Sequence, residues 1–229
     1  MTRNALIVGA GAGLSASLAR LFAGNGYDVA LAARDPGKLA DLCAETGAKA
    51  HACDASETDS VAALFEALDK DGATPDLVVY NPSGRVRGPV AELDPAAVHA
   101  ALDVTAFGAF LVAREAAKRM EPKGEGTMLF TGASAGIKGF AQSAPFAMGK
   151  FALRGLCQSL ARELHPKGIH VVHFVIDGAI HNPARGAPHD DPEKTLHPDA
   201  IAETYLAMAN QHRSAWTNEV ELRPHVERF

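Results

Sequence analysis

NALIVGAGAGLSASLARLF, residues 4–22, passes from a strand-type run through three closely spaced glycines into a helical period. Residues 4–9 are apolar without the alternation of a half-exposed strand, the pattern of a strand covered on both faces. Leu14, Leu18, Leu21 and Phe22 then fall on one side of a helix. Between the two, Gly9, Gly11 and Gly13 form a turn whose backbone can approach a pyrophosphate closely, with a helix N-terminus facing the negative charge. The spacing is GxxxGxS, from Gly9 through Gly13 to Ser15, and Leu14 fills the place that the GxGxxG fingerprint gives to its last glycine. A turn that needs its glycines only for tightness is the alternative reading of the same residues.

Downstream the same alternation repeats. Strand-type runs lie at 28–33, 48–53, 75–80, 126–131 and 169–176, separated by helical segments near 36–46, 57–70, 95–120 and 143–165. In the segment near 57–70, Val61, Leu64, Phe65 and Leu68 share a side. Apolar strands alternating with amphipathic helices predict an α/β fold: a Rossmann-type doubly wound parallel sheet of about seven strands, flanked by helices. No repeat or boundary divides the chain, so residues 1–229 are read as a single domain. Residues 177–198, rich in Pro, Gly, His and Asp, form the one long irregular segment, a flexible loop or substrate lid whose variable part is 183–198. A short helix at 199–211 and a last strand at 219–222 close the chain.

Composition narrows the function. The 22 basic and 27 acidic residues give a formal net charge of −5, which does not supply the basic face that nucleic acid requires. Cys43, Cys53 and Cys157 lie far apart without a CxxC pair and read as packed, reduced thiols. The ten histidines, including His181, His189 and His197 near Asp190 and Asp191, show no metal-ligand spacing, so no metal is expected. No apolar run approaches the length of a membrane span and the N-terminus lacks a secretory core, so the expectation is a cytoplasmic protein without a membrane partner.

Together with FTGASAGIKGFAQSAPFAMGK at 130–150, these motifs resemble the short-chain dehydrogenase/reductase family over essentially the whole chain, EVELRP at 219–224 included. The family carries TGxxxGxG at the first turn; here Val8 and Ser15 replace its Thr and last Gly, and a Ser in that last place also occurs in the divergent enoyl-reductase branch. The resemblance implies a nicotinamide cofactor bound at Gly9, Gly11, Gly13, Leu14 and Ser15, with Asp54 at the adenine amino group and Asn81 matching the Asn of the NNAG segment. It also implies that Gly178, Ile180 and Asn182 meet the nicotinamide carboxamide, although Asp177 stands where the family has Pro. At the end of the second strand a carboxylate would hold both ribose hydroxyls and repel a 2′-phosphate. Ala33 occupies that place and the planar cation Arg34 follows, so NADP is expected ahead of NAD. The plainer readings are a solvated loop charge for Arg34 and a helix cap for Asp54.

The proton-handling positions are different. The family pattern places a Tyr four residues before a Lys, a Ser upstream of both, and an Asn on the preceding long helix. Lys150 matches the Lys, but Phe146 falls on the Tyr, Ala133 on the Ser and Thr105 on the Asn. Phenylalanine cannot donate a proton and alanine cannot hydrogen-bond an oxyanion. Losing a positioned general acid typically costs about 10²–10⁴-fold in rate. Ser134 and Ser143 are the candidate substitutes; Ser143 lies where the enoyl-reductase branch keeps its Tyr, and each reads equally as a turn or cap hydroxyl.

Two functions follow. One is an NADP(H)-dependent oxidoreductase with a non-standard proton route, acting on a small carbonyl or enone compound. The other is a catalytically degenerate nicotinamide-nucleotide-binding protein, a sensor or partner subunit. The resemblance further implies a homodimer or homotetramer, paired through the helices near 95–120 and 143–165.

Overall fold

A computed structural model describes residues 3–182 and 191–226. Strand β1 (Arg3–Val8) pairs in parallel with β2 (Tyr27–Ala33) on one side and β4 (Leu77–Tyr80) on the other. Strands β3 (Lys49–Ala52), β5 (Gly126–Thr131), β6 (Ile169–Ile176) and β9 (Glu219–Leu222) complete a seven-stranded parallel sheet in the order β3-β2-β1-β4-β5-β6-β9. The unbroken apolarity of the strands now has its reason. Leu6 and Val8 of β1 point into one buried cluster while Ala5 and Ile7 point into another on the opposite face. Each fully buried Leu or Phe in these layers stabilises the fold by roughly 1.5–3 kcal/mol.

Helices cover both faces. α1 (Leu14–Gly24), α2 (Ala40–Thr46) and α7 (Pro198–Ala209) lie on the side of Ile7, and α3 (Thr58–Lys70), α5 (Gly108–Met120) and α6 (Ala144–Leu164) on the side of Leu6, with α4 (Pro95–Leu102) packed against α6. The strand order reverses between β1 and β4. In such sheets ligands bind in the crevice at the carboxyl ends of the strands at this switch point. The glycine turn after β1 and the segment 81–88 after β4 form its two lips.

Three features depart from the expectations. The stretch 95–120 is not one regular helix: α4 and α5 are joined by a π-helical segment, Asp103–Phe107. There the Gly108 amide donates to Asp103 rather than to Val104, and the Val104 carbonyl instead accepts the hydroxyl of Tyr80. Next, the segment read as irregular contains a two-stranded parallel ladder, β7 (Ala179–Ile180) with β8 (Thr195–Leu196). Pairs this short leave no alternation to read; the first half of the predicted variable loop 183–198, residues 183–190, lies outside the described residues.

The third correction concerns length. The helical run Pro95–Lys123 is long and apolar enough, by length and composition, to cross a bilayer, contrary to the expectation that no stretch approaches it. Its apolarity serves the domain on one side, where Leu111, Val112 and Ala116 are buried, and surfaces on the other at Phe107 and Phe110. Those two rings stack at 6.1 Å.

Candidate active site

The glycine turn is braced from within. Ser15 is only 2% exposed; its Oγ donates to the Gly9 carbonyl at 3.0 Å and accepts from Asn81 Nδ2 at 2.7 Å. One hydroxyl therefore ties the end of β1, the start of α1 and the end of β4 together. Gly9 (φ 80°) is required here, because a Cβ would come within 2.7 Å of the Pro82 ring. Gly13 (φ 92°) begins α1, whose first turn no side chain caps. Asn182 reaches over from beyond β7 and donates to the Ala12 carbonyl at 3.3 Å, while the space over Gly11 is open. Leu14 is buried in the core, so its backbone alone faces the turn.

At the adenine side, Asp54 accepts the Ser56 hydroxyl at 2.7 Å and the Ser56 amide at 3.0 Å. These two bonds, with the nearby charge of Arg34 adding less, hold its carboxyl below the usual carboxylate range. Asp54 does not cap α3, whose cap is Glu57. Arg34 is exposed. An uncapped helix start, open space over a glycine and a cation beside an acceptor carboxylate fit a nicotinamide dinucleotide carrying a 2′-phosphate.

On the other side of the crevice, α6 sets Phe146 and Lys150 one turn apart, 8% and 2% exposed. Lys150 Nζ donates to the Thr131 carbonyl at 2.7 Å and stands 5.9 Å from the Phe146 ring centroid. Burial pulls the Lys150 ammonium down to about 7, the Arg85 charge adds to the effect and the Cys157 thiol opposes it. Phe146 packs with Ala133 and Ala135 in an apolar cluster. Where the resemblance puts two hydroxyls, this wall is hydrocarbon.

Of the missing-Asn position Thr105 and the two substitute candidates Ser134 and Ser143, Thr105 alone makes a side-chain hydrogen bond among the described residues. Thr105, in the π segment, accepts the Gly84 amide at 2.9 Å and so holds the 81–88 lip. Ser134 opens the short helical turn Ser134–Gly136, and its carbonyl accepts from Ile137 and Lys138. Ser143 is buried at the start of α6 but makes no capping bond through its side chain. Gly178 lies against Pro224, Ile180 packs on the apolar cluster of α7, and both precede Asn182 at the glycine turn.

The family model for short chain dehydrogenase matches residues 3–186. This chain belongs to the short-chain dehydrogenase family. A crystal structure of a short-chain dehydrogenase from Rhodopseudomonas palustris is similar to it with a TM-score of 0.83 and 34% identity, covering 97% of this chain and 100% of that one. A metagenomic short-chain oxidoreductase in complex with NADP is similar with a TM-score of 0.85 and 28% identity, over 98% of each chain. An uncharacterized oxidoreductase of Staphylococcus saprophyticus is 25% identical over 226 residues, 96% of both chains.

Several residues that matter to this short-chain dehydrogenase escaped the sequence reading. The Arg85 guanidinium carbon stands 4.2 Å from the centroid of Phe146, a contact between a loop and a helix sixty-one positions apart that no local pattern announces. Asp177, standing where the family has Pro, is a buried carboxylate 3.5 Å from both Lys138 Nζ and Arg223 Nη2. It joins the loop after β5 to the tail after β9. Finally, His173 donates through Nδ1 to Glu219 at 3.0 Å, and Arg154 grips the same carboxylate twice at 2.7 Å. Burial lowers the His173 pKa, Glu219 opposing, and its Nε2 has no partner among the described residues.

Proposed function

We propose that this short-chain oxidoreductase uses NADP(H) to reduce a small carbonyl or enone compound, with the proton supplied by solvent or substrate rather than by a phenol. The observation that carries the reading is Lys150, buried and fastened to the Thr131 carbonyl beside an otherwise apolar wall. A buried cation costs stability, so one held this way at the crevice argues for use. Bound in the crevice, the nicotinamide supplies a hydride. Gly9, Gly11 and Gly13, with the backbone of Leu14, would receive its pyrophosphate, Arg34 its 2′-phosphate and Asp54 its adenine. Ser15 and Asn81 keep the turn in shape. Support for NADP comes from Arg34 and from the NADP complex of the metagenomic relative.

The test is a fluorescence titration with NADPH and NADH, followed by a screen of ketones, aldehydes and enones. Tighter binding of NADPH and turnover of at least one class is expected. Absence of turnover throughout, with NADPH bound, transfers the case to the second reading. That reading, a nicotinamide-binding sensor or partner subunit, is favoured by the hydrocarbon cluster of Phe146, Ala133 and Ala135. It expects Phe146→Tyr combined with Ala133→Ser to create reductase activity absent from the parent.

The functional unit in this proposal is a homodimer or homotetramer. Phe107 and Phe110 around the start of α5, with Met148 and Phe151 on α6, leave large apolar side chains exposed on adjacent helices, which a second copy of the chain would cover.

A further inference from the structure

Behind Lys150 a row of polar side chains runs under α6 to the edge of the sheet. Lys150 and Arg154 lie one turn apart on the same face of that helix. Below them His173 projects from β6, fully buried, and Glu219 stands opposite it in the register of the outermost strand, β9. His173 Nδ1 donates to Glu219 at 3.0 Å, and Arg154 holds both oxygens of the same carboxylate at 2.7 Å. The Arg154 and Glu219 side chains are 30% and 29% exposed, so the row begins at the crevice and ends at water.

At the centre of the row the imidazole has a bare nitrogen. With the ring proton on Nδ1, Nε2 of neutral His173 is an acceptor, and it has no partner among the described residues. Burial lowers the pKa of the ring, so it is neutral at pH 7. Nε2 lies against Gly132, where any Cβ would collide with it, and the preceding residue, Thr131, carries the carbonyl to which Lys150 Nζ donates. An ammonium with protons to give and an imidazole nitrogen without one thus stand beside consecutive residues at the end of β5. The Lys150 and Arg154 charges on α6 act against protonation of His173, and Glu219 on β9 acts for it. Arg85 and Cys157 also act on Lys150. Leucine would fill the place of His173 without stripping water from a nitrogen. A buried acceptor left unpaired is a rarity that calls for a use.

We infer that His173 passes protons between Lys150 and the solvent at the β9 edge, with Glu219 holding its ring and carrying the outer proton. The inference rests on the oxidoreductase function proposed above and gives the solvent proton of that reaction its route. From the arrangement described, an N–H bond of the Lys150 ammonium breaks as a bond from Nε2 to that hydrogen forms. The Nδ1 proton passes to the Glu219 carboxylate and from there to water, leaving Lys150 as the amine. One proton has moved from crevice to solvent, with one bond to hydrogen formed for each one broken. In reverse, the same bonds bring a proton from solvent to Lys150, for the alkoxide that hydride addition to a carbonyl leaves. His173 is a positioning residue in this scheme, because it acts through Lys150 and does not meet the substrate.

The experiment is magnetic resonance of the full-length protein, nitrogen-15 labelled in its histidine rings and lysine side chains, at pH 6.5 without nucleotide. It is run on the parent, His173→Asn and Glu219→Gln; asparagine keeps a donor for Glu219 and has no group in the place of Nε2. Expected are a bare Nε2 in the parent and exchange of the Lys150 protons with water slowed about tenfold or more in His173→Asn, and slowed also in Glu219→Gln. A loosened fold speeds that exchange, so its direction separates a proton route from packing. A proton resident on Nε2 in the parent, or exchange unchanged or faster in the variants, overturns the inference; should His173→Asn not fold, the parent and Glu219→Gln decide. In a second arm, turnover of a substrate from the NADPH screen falls about tenfold or more in His173→Asn with NADPH affinity unchanged. Undiminished turnover overturns the route and leaves the oxidoreductase reading in place. Slowed exchange in a parent that turns over nothing overturns that reading and leaves the proton transfer between the two residues in place.

Discussion

Lys150 Nζ donates to the carbonyl oxygen of Thr131 at 2.7 Å, so the last residue of β5 holds the cation that the crevice needs. This bond compensates only part of the loss of water around the ammonium. Its pKa in the fold is about 7, against an ordinary lysine value of 10.5, with burial as the first cause. The unfolded chain therefore binds the extra proton between these two values. Stability is lowest relative to the neutral form below about pH 7 and rises as pH increases toward 10.5, by at most about 1.4 kcal/mol per unit. Urea unfolding between pH 7 and 9.5 should show that rise in the parent and a flatter profile in Lys150→Met. Equal slopes would contradict the assignment.

Thr105→Val removes the acceptor of the Gly84 amide while keeping the shape of the side chain. A backbone donor left unsatisfied costs ~1–3 kcal/mol. The expected result is a lower unfolding midpoint with faster amide exchange confined to the 81–88 lip, read by hydrogen exchange. Protection unchanged in that segment would show that Thr105 does not hold it.

Arg34→Ser should weaken NADPH binding by an order of magnitude or more and leave NADH binding nearly unchanged, because only the 2′-phosphate loses its cation. Fluorescence titration of both nucleotides decides it. A parallel loss for the two would assign Arg34 to the fold instead.

Phe110→Asp with Phe151→Asp places two carboxylates on the exposed apolar face of α5 and α6. The expected outcome is a monomer by light scattering with the thermal transition of the domain itself retained. An unchanged mass would move the subunit contact elsewhere.

The sequence exposed what depends on neighbours along the chain. Residues 169–176 and 219–222 matched β6 and β9 because each is a compact run of strand residues. Gly9 and Gly13 were legible because left-handed backbone leaves glycine almost no competitor. Ser15 and Asn81 each follow a strand of the crevice, yet the bond between them joins residues 66 positions apart and cannot be inferred from spacing. The same limit hid Arg85 on Phe146 and Glu219 on His173. The π segment was invisible for another reason: Tyr80 stabilises it from a different strand, and no residue type within 103–107 demands it.

That π segment has a consequence for how the long helix tolerates change. An α-helix advances about 100° per residue, so the widened turn resets the rotational phase of everything after it. Val112 and Ala116 face the core, and Phe110 faces outward, only in this phase. Because the Gly108 amide already spans one residue more than an α turn, deleting one residue within 103–107 would close it to an ordinary α turn and leave the faces of α5 where they are. The same deletion in a regular turn of α5 would rotate everything after it by that angle, so the π segment is where the long helix can lose a residue without turning its far half.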